Sequence, residues 1–252
     1  TFINGNYPAY NIRCMEIRNA PTLVTVDGFT ITNGYTLVNA GGGIFVTNSE
    51  SSILNCTISG NRAETSGGGI GVRNSSSVVI TNCIISLNTN GISGAGNGGG
   101  LWIYYVTGGR VANCTIVSNR QGGVSSYGGG VYVDSSLNCV ITNCILAYNY
   151  SSDFGGGVFL SGGTMTRSII SNNSSRVVGG GVTLFNSYNN MVAYCTITGN
   201  RSGGDSGGIS INRGNLYNCA ITKNYAVGDG GGFQNSEAVV RNCLFAGNQA
   251  GG

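Results

Sequence analysis

A repeated pattern with a period of 24 to 31 residues covers almost the whole chain and constrains its fold more than any other feature. Each copy begins with a glycine triplet and an apolar residue, and closes on an asparagine 16 to 19 residues after the third glycine. The first clear copy runs from Gly41-Gly42-Gly43-Ile44 to Ile58-Ser59-Gly60-Asn61, and Ser206 replaces the first glycine in one of the eight copies. A period of this length with strand-like contents is typical of a solenoid and not of a compact globule.

The asparagines that close the copies keep a nearly constant distance from the next glycine triplet, and the longer intervals after Asn88 and Asn119 are typical of surface loops. We predict that these side chains stack at a bend and satisfy backbone groups there. The glycines should permit positive φ where the chain re-enters the next strand. The predicted asparagine ladder comprises Asn61, Asn88, Asn119, Asn149, Asn173, Asn200, Asn224 and Asn248.

Apolar residues alternate within each copy, as in Ile44 and Val46, and this period of two predicts strands with one buried face. The 45 glycines argue against helices, since each costs about 1 kcal/mol relative to alanine in a helix. The predicted fold is an all-β parallel β-helix with three strands per coil and about nine coils. We expect one domain over residues 1–252, with an irregular partial first coil at 1–21 and regular repeats at 22–252, as part of a longer chain.

Seven of the nine cysteines occupy one position of the repeat, and Ser168 stands there in the remaining copy. Stacked side chains in neighbouring coils lie about 4.8 Å apart, outside the usual Cβ separation of a disulfide. We therefore predict a column of buried free thiols without a metal or cofactor, because the chain has no histidine and no Cys-x-x-Cys motif. Cys14 and Cys139 receive no predicted role. The column comprises Cys56, Cys83, Cys114, Cys144, Cys195, Cys219 and Cys243.

The content of titratable residues gives little support to an enzyme. The chain has no histidine, which removes the commonest general base and the Ser–His and Cys–His classes of nucleophilic site. Its nine acidic residues are dispersed, and the best pair is Asp205 and Asp229, each close before a glycine triplet of neighbouring copies. Two interpretations remain open for this pair: a shared Ca²⁺ ion, or two solvated loop carboxylates.

The residues that point outward after each glycine triplet include several aromatic side chains. We expect Trp102, Tyr104, Tyr132 and Phe159 to form an exposed patch, because they occupy outward positions in neighbouring coils. Arg73 and Asp134 should lie beside this patch, and flat rings flanked by polar groups suit sugar binding. The alternative is that the long loops 89–97 and 120–127 fold over the patch and bury it.

The third strand of each coil presents small and weakly apolar residues outward, such as Thr57, Ile84 and Thr196. Such a flat face suits self-association, and the strand edges at the two ends of a β-helix can also template stacking. Ice binding is a further option, because Thr30/Thr32 and Thr196/Thr198 form Thr-x-Thr pairs. Only 8% of residues are charged, and the net charge of +3 predicts no nucleic-acid partner. No apolar run is long enough to span a membrane.

The motifs Gly42-Gly43-Ile44 and Phe245–Asn248 match the GGAI and FxxN elements of known repeats. With the segment Val26–Gly34, they make roughly residues 22 to 252 resemble the right-handed parallel β-helix proteins of the pectin-lyase-like superfold. Within that superfold the chain is most similar to the polymorphic outer-membrane proteins and related bacterial adhesins. Isoleucine or leucine replaces the phenylalanine of FxxN in the other copies, and the superfold carries many functions.

Because the repeats are regular and acids and bases are scarce, we expect a non-catalytic protein that is secreted or attached to the bacterial surface, either an adhesin or a self-assembling filament subunit. The alternative is a β-helix that binds or cleaves an extracellular polysaccharide through the predicted aromatic patch. An enzyme of this superfold is expected to carry a histidine or a cluster of carboxylates with a basic residue, and the sequence shows neither arrangement.

Overall fold

The computed structural model describes residues 1–91, 94, 96–136 and 138–252, which wind into about nine coils of an all-β parallel β-helix. Three sheets run along the axis, and each strand pairs in parallel with its equivalents in neighbouring coils. This architecture confirms the predicted fold class. The part of the chain that is described contains no helix long and apolar enough to cross a membrane.

The ten-stranded sheet contains the strand that precedes each ladder asparagine. In all but the first and last of these strands the central residue is apolar and buried, and the flanking residues point mostly outward, as in Thr57–Ser59. The strands are Phe2–Asn4, Thr30–Thr32, Thr57–Ser59, Ile84–Ser86, Thr115–Val117, Ile145–Ala147, Ile169–Ser171, Thr196–Thr198, Ala220–Thr222 and Leu244–Ala246.

The fourteen-stranded sheet contains both of the strands that the sequence predicts after each glycine triplet. In four coils these two strands run together as one, and residues such as Asn74 and Tyr105 mark the junction with φ of 51° and 52°. The strands are Met15–Arg18, Val24–Asp27, Ile44–Thr47, Ser51–Leu54, Ile70–Thr81, Leu101–Ala112, Val131–Asp134, Val140–Thr142, Val158–Ser161, Thr164–Thr166, Val182–Leu184, Met191–Ala193, Ile209–Tyr217 and Phe233–Arg241.

A nine-stranded sheet follows the ladder asparagines and was not predicted from the sequence. Its strands have only two residues each, which is too short to show an alternating pattern. They are Tyr35–Thr36, Arg62–Ala63, Thr89–Asn90, Arg120–Gln121, Tyr150–Ser151, Ser174–Ser175, Arg201–Ser202, Tyr225–Ala226 and Gln249–Ala250.

The ladder asparagines lie in one internal column and join successive coils through both backbone and side chain. The Oδ1 atom of Asn119 accepts hydrogen bonds from the backbone N and the Nδ2 of Asn88, at 3.1 and 3.0 Å. The Nδ2 atom of Asn119 donates to the Ile85 carbonyl at 2.9 Å and to Asn149 Oδ1 at 3.0 Å. Each amide thus satisfies corner groups that the strand ladders leave unpaired.

The three positions of the glycine triplet have different conformational requirements. Gly128 has a φ of 71°, which favours glycine. A Cβ atom on Gly129 would lie 2.3 Å from the Tyr150 carbonyl oxygen, and one on Gly130 would lie 2.9 Å from Asn149 Nδ2. The first glycine therefore permits a left-handed turn, the second permits close approach to the backbone of the neighbouring coil, and the third permits close approach to the asparagine ladder.

The predicted thiol column lies at the corner between the fourteen-stranded and ten-stranded sheets. Each Sγ atom hydrogen-bonds to the carbonyl two residues earlier, as Cys114 does to Ala112 at 3.2 Å. Ser168 makes the equivalent bond to Thr166 at 2.8 Å, which explains why serine fits in the column. All nine cysteines are free thiols.

The two remaining cysteines also have structural positions. Cys139 is buried in the core, where it faces Gly109 and Gly163 in the neighbouring coils. Cys14 lies at the first end of the asparagine ladder, with its Sγ 3.9 Å from Asn61 Oδ1. Both side chains fill space that a glycine leaves open in the adjacent coil. For Cys14 this glycine is Gly34, which occupies the ladder position before Asn61.

Replacing Asn119 with alanine should lower the free energy of unfolding by about 3 kcal/mol or more, since each buried polar group left without a partner costs about 1–3 kcal/mol. The matched control is Asn113→Gly. Asn113 belongs to an exposed asparagine column and has a φ of 55°, which glycine adopts readily, so this change should cost less than about 1 kcal/mol. Urea denaturation measures both. Equal losses of stability in the two variants would contradict the proposed contribution of the internal ladder to the free energy of unfolding.

The folded protein should react with a thiol reagent first at Cys14 and Cys243, which are half-buried, while the seven buried cysteines react only on unfolding. The thiolate is the reactive form, and burial raises the pKa of Cys139 to about 12. Timed alkylation followed by peptide mass spectrometry tests this order. Fast labelling of Cys114 or Cys139 in the folded state would contradict the burial of these thiols.

Candidate ligand-binding groove

One outward column of the fourteen-stranded sheet carries the aromatic residues selected from the sequence. The register aligns Trp102 with Tyr132 and Tyr132 with Phe159, so the structure brings them together in neighbouring coils. Tyr132 and Phe159 are nevertheless only 7% and 5% exposed, and their rings stack with centroids 5.2 Å apart. The expectation of a fully exposed patch was therefore wrong for these two side chains.

The cover over Tyr132 and Phe159 comes from residues that lie shortly before the glycine triplets. The Tyr127 ring stacks on Phe159 with centroids 5.0 Å apart and on Tyr132 at 6.4 Å. Phe154, in the next coil, forms a β-bridge with Tyr127 and packs against its ring at 5.3 Å. Loop 120–127 thus buries part of the patch, as the alternative interpretation expected. Loop 89–97 lies partly outside the described residues.

The other four residues of the predicted patch lie beside this covered pair. Trp102 and Tyr104 are half-exposed and stack with centroids 5.4 Å apart. The Arg73 guanidinium lies over the Phe45 ring at 5.5 Å, and Asp134 accepts a hydrogen bond from the Tyr132 hydroxyl at 3.0 Å. Burial, reinforced by this carboxylate, raises the pKa of Tyr132, so the phenol stays a hydrogen-bond donor.

An open groove begins where the outward column changes from aromatic to small residues. Phe159 is aligned with Thr183, and Ser210 and Gln234 follow in the next two coils. The smaller side chains leave a groove of about 270 Å³ on the outer face of the sheet. It adjoins an apolar hollow of about 220 Å³, and Phe154 and Phe185 line both spaces.

The groove combines aromatic walls with neutral polar groups, which the sequence analysis did not select as a site. Phe154 and Phe185 form its apolar end. Hydroxyl and amide side chains line much of the remainder, together with Val178, Leu184 and Ile211. The Thr183 hydroxyl is buried without a hydrogen-bond partner in the described residues. Ligand sites commonly join apolar surface to a few polar groups that fix orientation. The polar lining comprises Thr183, Ser210, Asn212, Gln234, Asn235 and Ser236.

The predicted acidic pair lies near the polar end of the groove, in neighbouring coils. Asp205 Oδ1 accepts a hydrogen bond from the backbone N of Asp229 at 2.9 Å, and Asp205 Oδ2 lies 3.4 Å from Gln234 Nε2. Asp205 thus supports the loop and the groove residue Gln234, while Asp229 is exposed. Within the described residues, no group of three or more His, Cys, Asp and Glu side chains is placed to hold a metal ion.

The other carboxylates are engaged in local contacts along the surface. Asp153 pairs with Arg176 at 3.1 Å and accepts the backbone N of Ser126, and Glu237 pairs with Arg213 at 3.1 Å. Similar contacts involve Glu16, Glu50 and Glu64, as well as Asp27. These contacts account for the dispersed acids as structural groups at separate points of the fold.

The parallel sheets, internal ladders and lateral groove define a β-helix protein. The model of the family described as "Right handed beta helix region" matches the chain twice, over residues 4–130 and 124–252. The chain therefore belongs to the right-handed β-helix family, and the handedness implied by the sequence motifs is confirmed. Neither a curated protein nor a solved structure gives a significant match.

Replacing Tyr127 with alanine should lower the free energy of unfolding by about 2 kcal/mol, because its ring covers Tyr132 and Phe159. Tyr10→Ala removes a ring that is 59% exposed and should change stability by no more than about 0.5 kcal/mol. Urea denaturation of both variants provides the comparison. A Tyr127 variant as stable as the Tyr10 variant would show that the ring does not cover the aromatic pair in solution.

Proposed function

We propose that this chain is a non-catalytic bacterial surface protein of the adhesin type, which binds a neutral segment of an extracellular polysaccharide in the lateral groove. The observation that carries the proposal is the junction of aromatic walls and uncharged polar groups over several coils. The groove follows the helix axis, along which an extended chain of sugars can lie. Secretion and surface attachment are proposed on the similarity of the repeats to those of polymorphic outer-membrane proteins.

The lining of the groove matches the chemistry of a sugar ring. The exposed face of Phe185, which is 47% exposed, offers an apolar surface on which the C–H face of a sugar can stack. Asn212 and Gln234 supply amide donors and acceptors, and the Ser210 hydroxyl supplies both functions. No charged residue lines this groove among the described residues, so a neutral sugar segment fits it best.

Binding without cleavage is the better supported activity because hydrolysis and elimination both need positioned acids and bases. Asp205, which lies nearest to the groove, is held by the Asp229 backbone and Gln234. The chain has no histidine to serve in its place. We therefore expect the protein to bind the polysaccharide without cleaving it.

Filament formation remains a second candidate function, and the outer face of the ten-stranded sheet favours it. This face is formed by short side chains without charge, and Ile84, Ile145 and Ile169 are each 45–47% exposed in it. Self-association through this face should make the sedimentation coefficient rise with protein concentration. A constant monomer value over the micromolar range would rule it out.

The adhesin proposal predicts binding of neutral polysaccharides that depends on the groove. Phe185→Ala should weaken binding at least tenfold by removing the stacking surface, and Ser210→Phe should abolish it by filling the groove. Phe2→Ala and Thr196→Phe are matched controls, because Phe2 is 77% exposed and Thr196 is exposed on the ten-stranded sheet. Both controls should bind as the unmodified protein does.

A neutral glycan array followed by calorimetry on the best ligand provides the measurement, with circular dichroism to show that each variant is folded. Absence of binding to any neutral glycan would refute the proposed ligand class. Equal affinity of the Ser210→Phe variant would refute the proposed location. Release of shorter sugars during incubation would refute the non-catalytic assignment.

A further inference from the structure

A second outward column runs along the nine-stranded sheet, on a different side of the β-helix from the groove. The first residue of each two-residue strand points outward, and the second is buried in every strand from Arg62–Ala63 to Tyr225–Ala226. The register places cations and aromatic rings next to each other in this column. In order from one coil to the next, it reads Arg120, Tyr150, Ser174, Arg201 and Tyr225.

Both arginines of this segment stack on the tyrosine of the following coil. The Arg120 guanidinium lies 4.3 Å from the centre of the Tyr150 ring, and the Arg201 guanidinium lies 4.4 Å from that of Tyr225. Stacking holds the planar group in place through its face and leaves its N–H edges free to donate. The same geometry occurs twice, three coils apart.

The charges of Arg120 and Arg201 are not neutralised by neighbouring groups in the described part of the chain. Both side chains are exposed, and neither forms an ion pair or a side-chain hydrogen bond there. Arg62, on the same column, differs because Glu64 pairs with it at 2.5 Å. The two stacked arginines are thus ordered cations with unused donors.

The carboxylates that follow these strands are directed to other contacts. Asp153 pairs with Arg176 and the Ser126 backbone, and Asp205 accepts the Asp229 backbone N. Asp229 is exposed, but it follows the Tyr225 strand, beyond Arg201. The surface between Arg120 and Arg201 therefore has two cations and no acidic side chain in its outward column.

We propose that this Arg–Tyr stripe, defined by Arg120, Tyr150, Ser174, Arg201 and Tyr225, binds an acidic polysaccharide whose chain runs along the helix axis. Each guanidinium donates a bidentate pair of hydrogen bonds to a sugar carboxylate. The tyrosine beside each arginine adds apolar surface for the sugars that bind there. The two arginines are three coils apart, about 14 Å, so carboxylates on sugars along one extended chain reach both. The stripe is separate from the groove, which takes an uncharged ligand.

The test measures binding of the whole chain to polygalacturonate, with dextran as a neutral probe and single-stranded DNA as a non-carbohydrate polyanion. Arg120→Gln with Arg201→Gln should weaken polygalacturonate binding at least tenfold. The matched control is Arg110→Gln with Arg167→Gln, which removes the same charge from exposed arginines outside the stripe. The control should lose no more than about twofold through the general reduction in charge.

Several results would overturn the proposal. Equal weakening by the two double variants would show attraction to net charge without a site, and equal binding of DNA would show that no carbohydrate is recognised. Undiminished affinity of the folded Arg120→Gln, Arg201→Gln protein would exclude the stripe. Ser210→Phe should leave polygalacturonate binding unchanged, which separates this site from the groove.

Discussion

Register between coils is the constraint on which the rest of the structure depends. Asn119 Oδ1 accepts hydrogen bonds from the backbone N and the side-chain amide of Asn88, and Asn119 Nδ2 donates to Asn149 in the next coil. Adjacent coils are therefore fixed in one register. The third glycine of each triplet allows the backbone to approach this ladder closely, as Gly130 does at Asn149. The thiol column adds hydrogen bonds at a different corner. Equivalent residues therefore lie above one another on every side of the β-helix.

Because the register is fixed, a difference in residue between equivalent positions of neighbouring coils changes the shape and chemistry of the surface at that point. Along one column, the change from Phe159 to Thr183 opens a groove because a small side chain follows a large one. Along another, an arginine followed by a tyrosine produces a stacked and unneutralised cation, as at Arg120 and Tyr150. The two surfaces have different chemistry, neutral in the groove and cationic on the stripe, although the same repeat builds both. The family determines the β-helix fold, and the residues that differ between copies form the two proposed binding surfaces.

The repeat period was sufficient to predict the parallel β-helix and the inside or outside position of residues such as Cys114, because phase alone determines both. It could not show the nine-stranded sheet, since two residues such as Arg120–Gln121 contain no alternation. It also could not show that Tyr127 covers Phe159, because loop direction depends on contacts between coils. The groove was missed for a related reason: Phe154, which lines it, lies directly before a glycine triplet and outside the outward columns that were considered. Cys139 needed the partner glycines of neighbouring coils to be interpreted.

Anomalous diffraction from sulfur in a crystal of this chain tests the in-register stacking most directly, because it locates the cysteines without relying on the rest of the structure. The account predicts one internal line of seven sulfur peaks, separated by about 4.8 Å, with one doubled interval at Ser168. The Cys139 peak should lie off this line. Sulfur atoms joined in pairs, or distributed over different sides of the β-helix, would contradict the account.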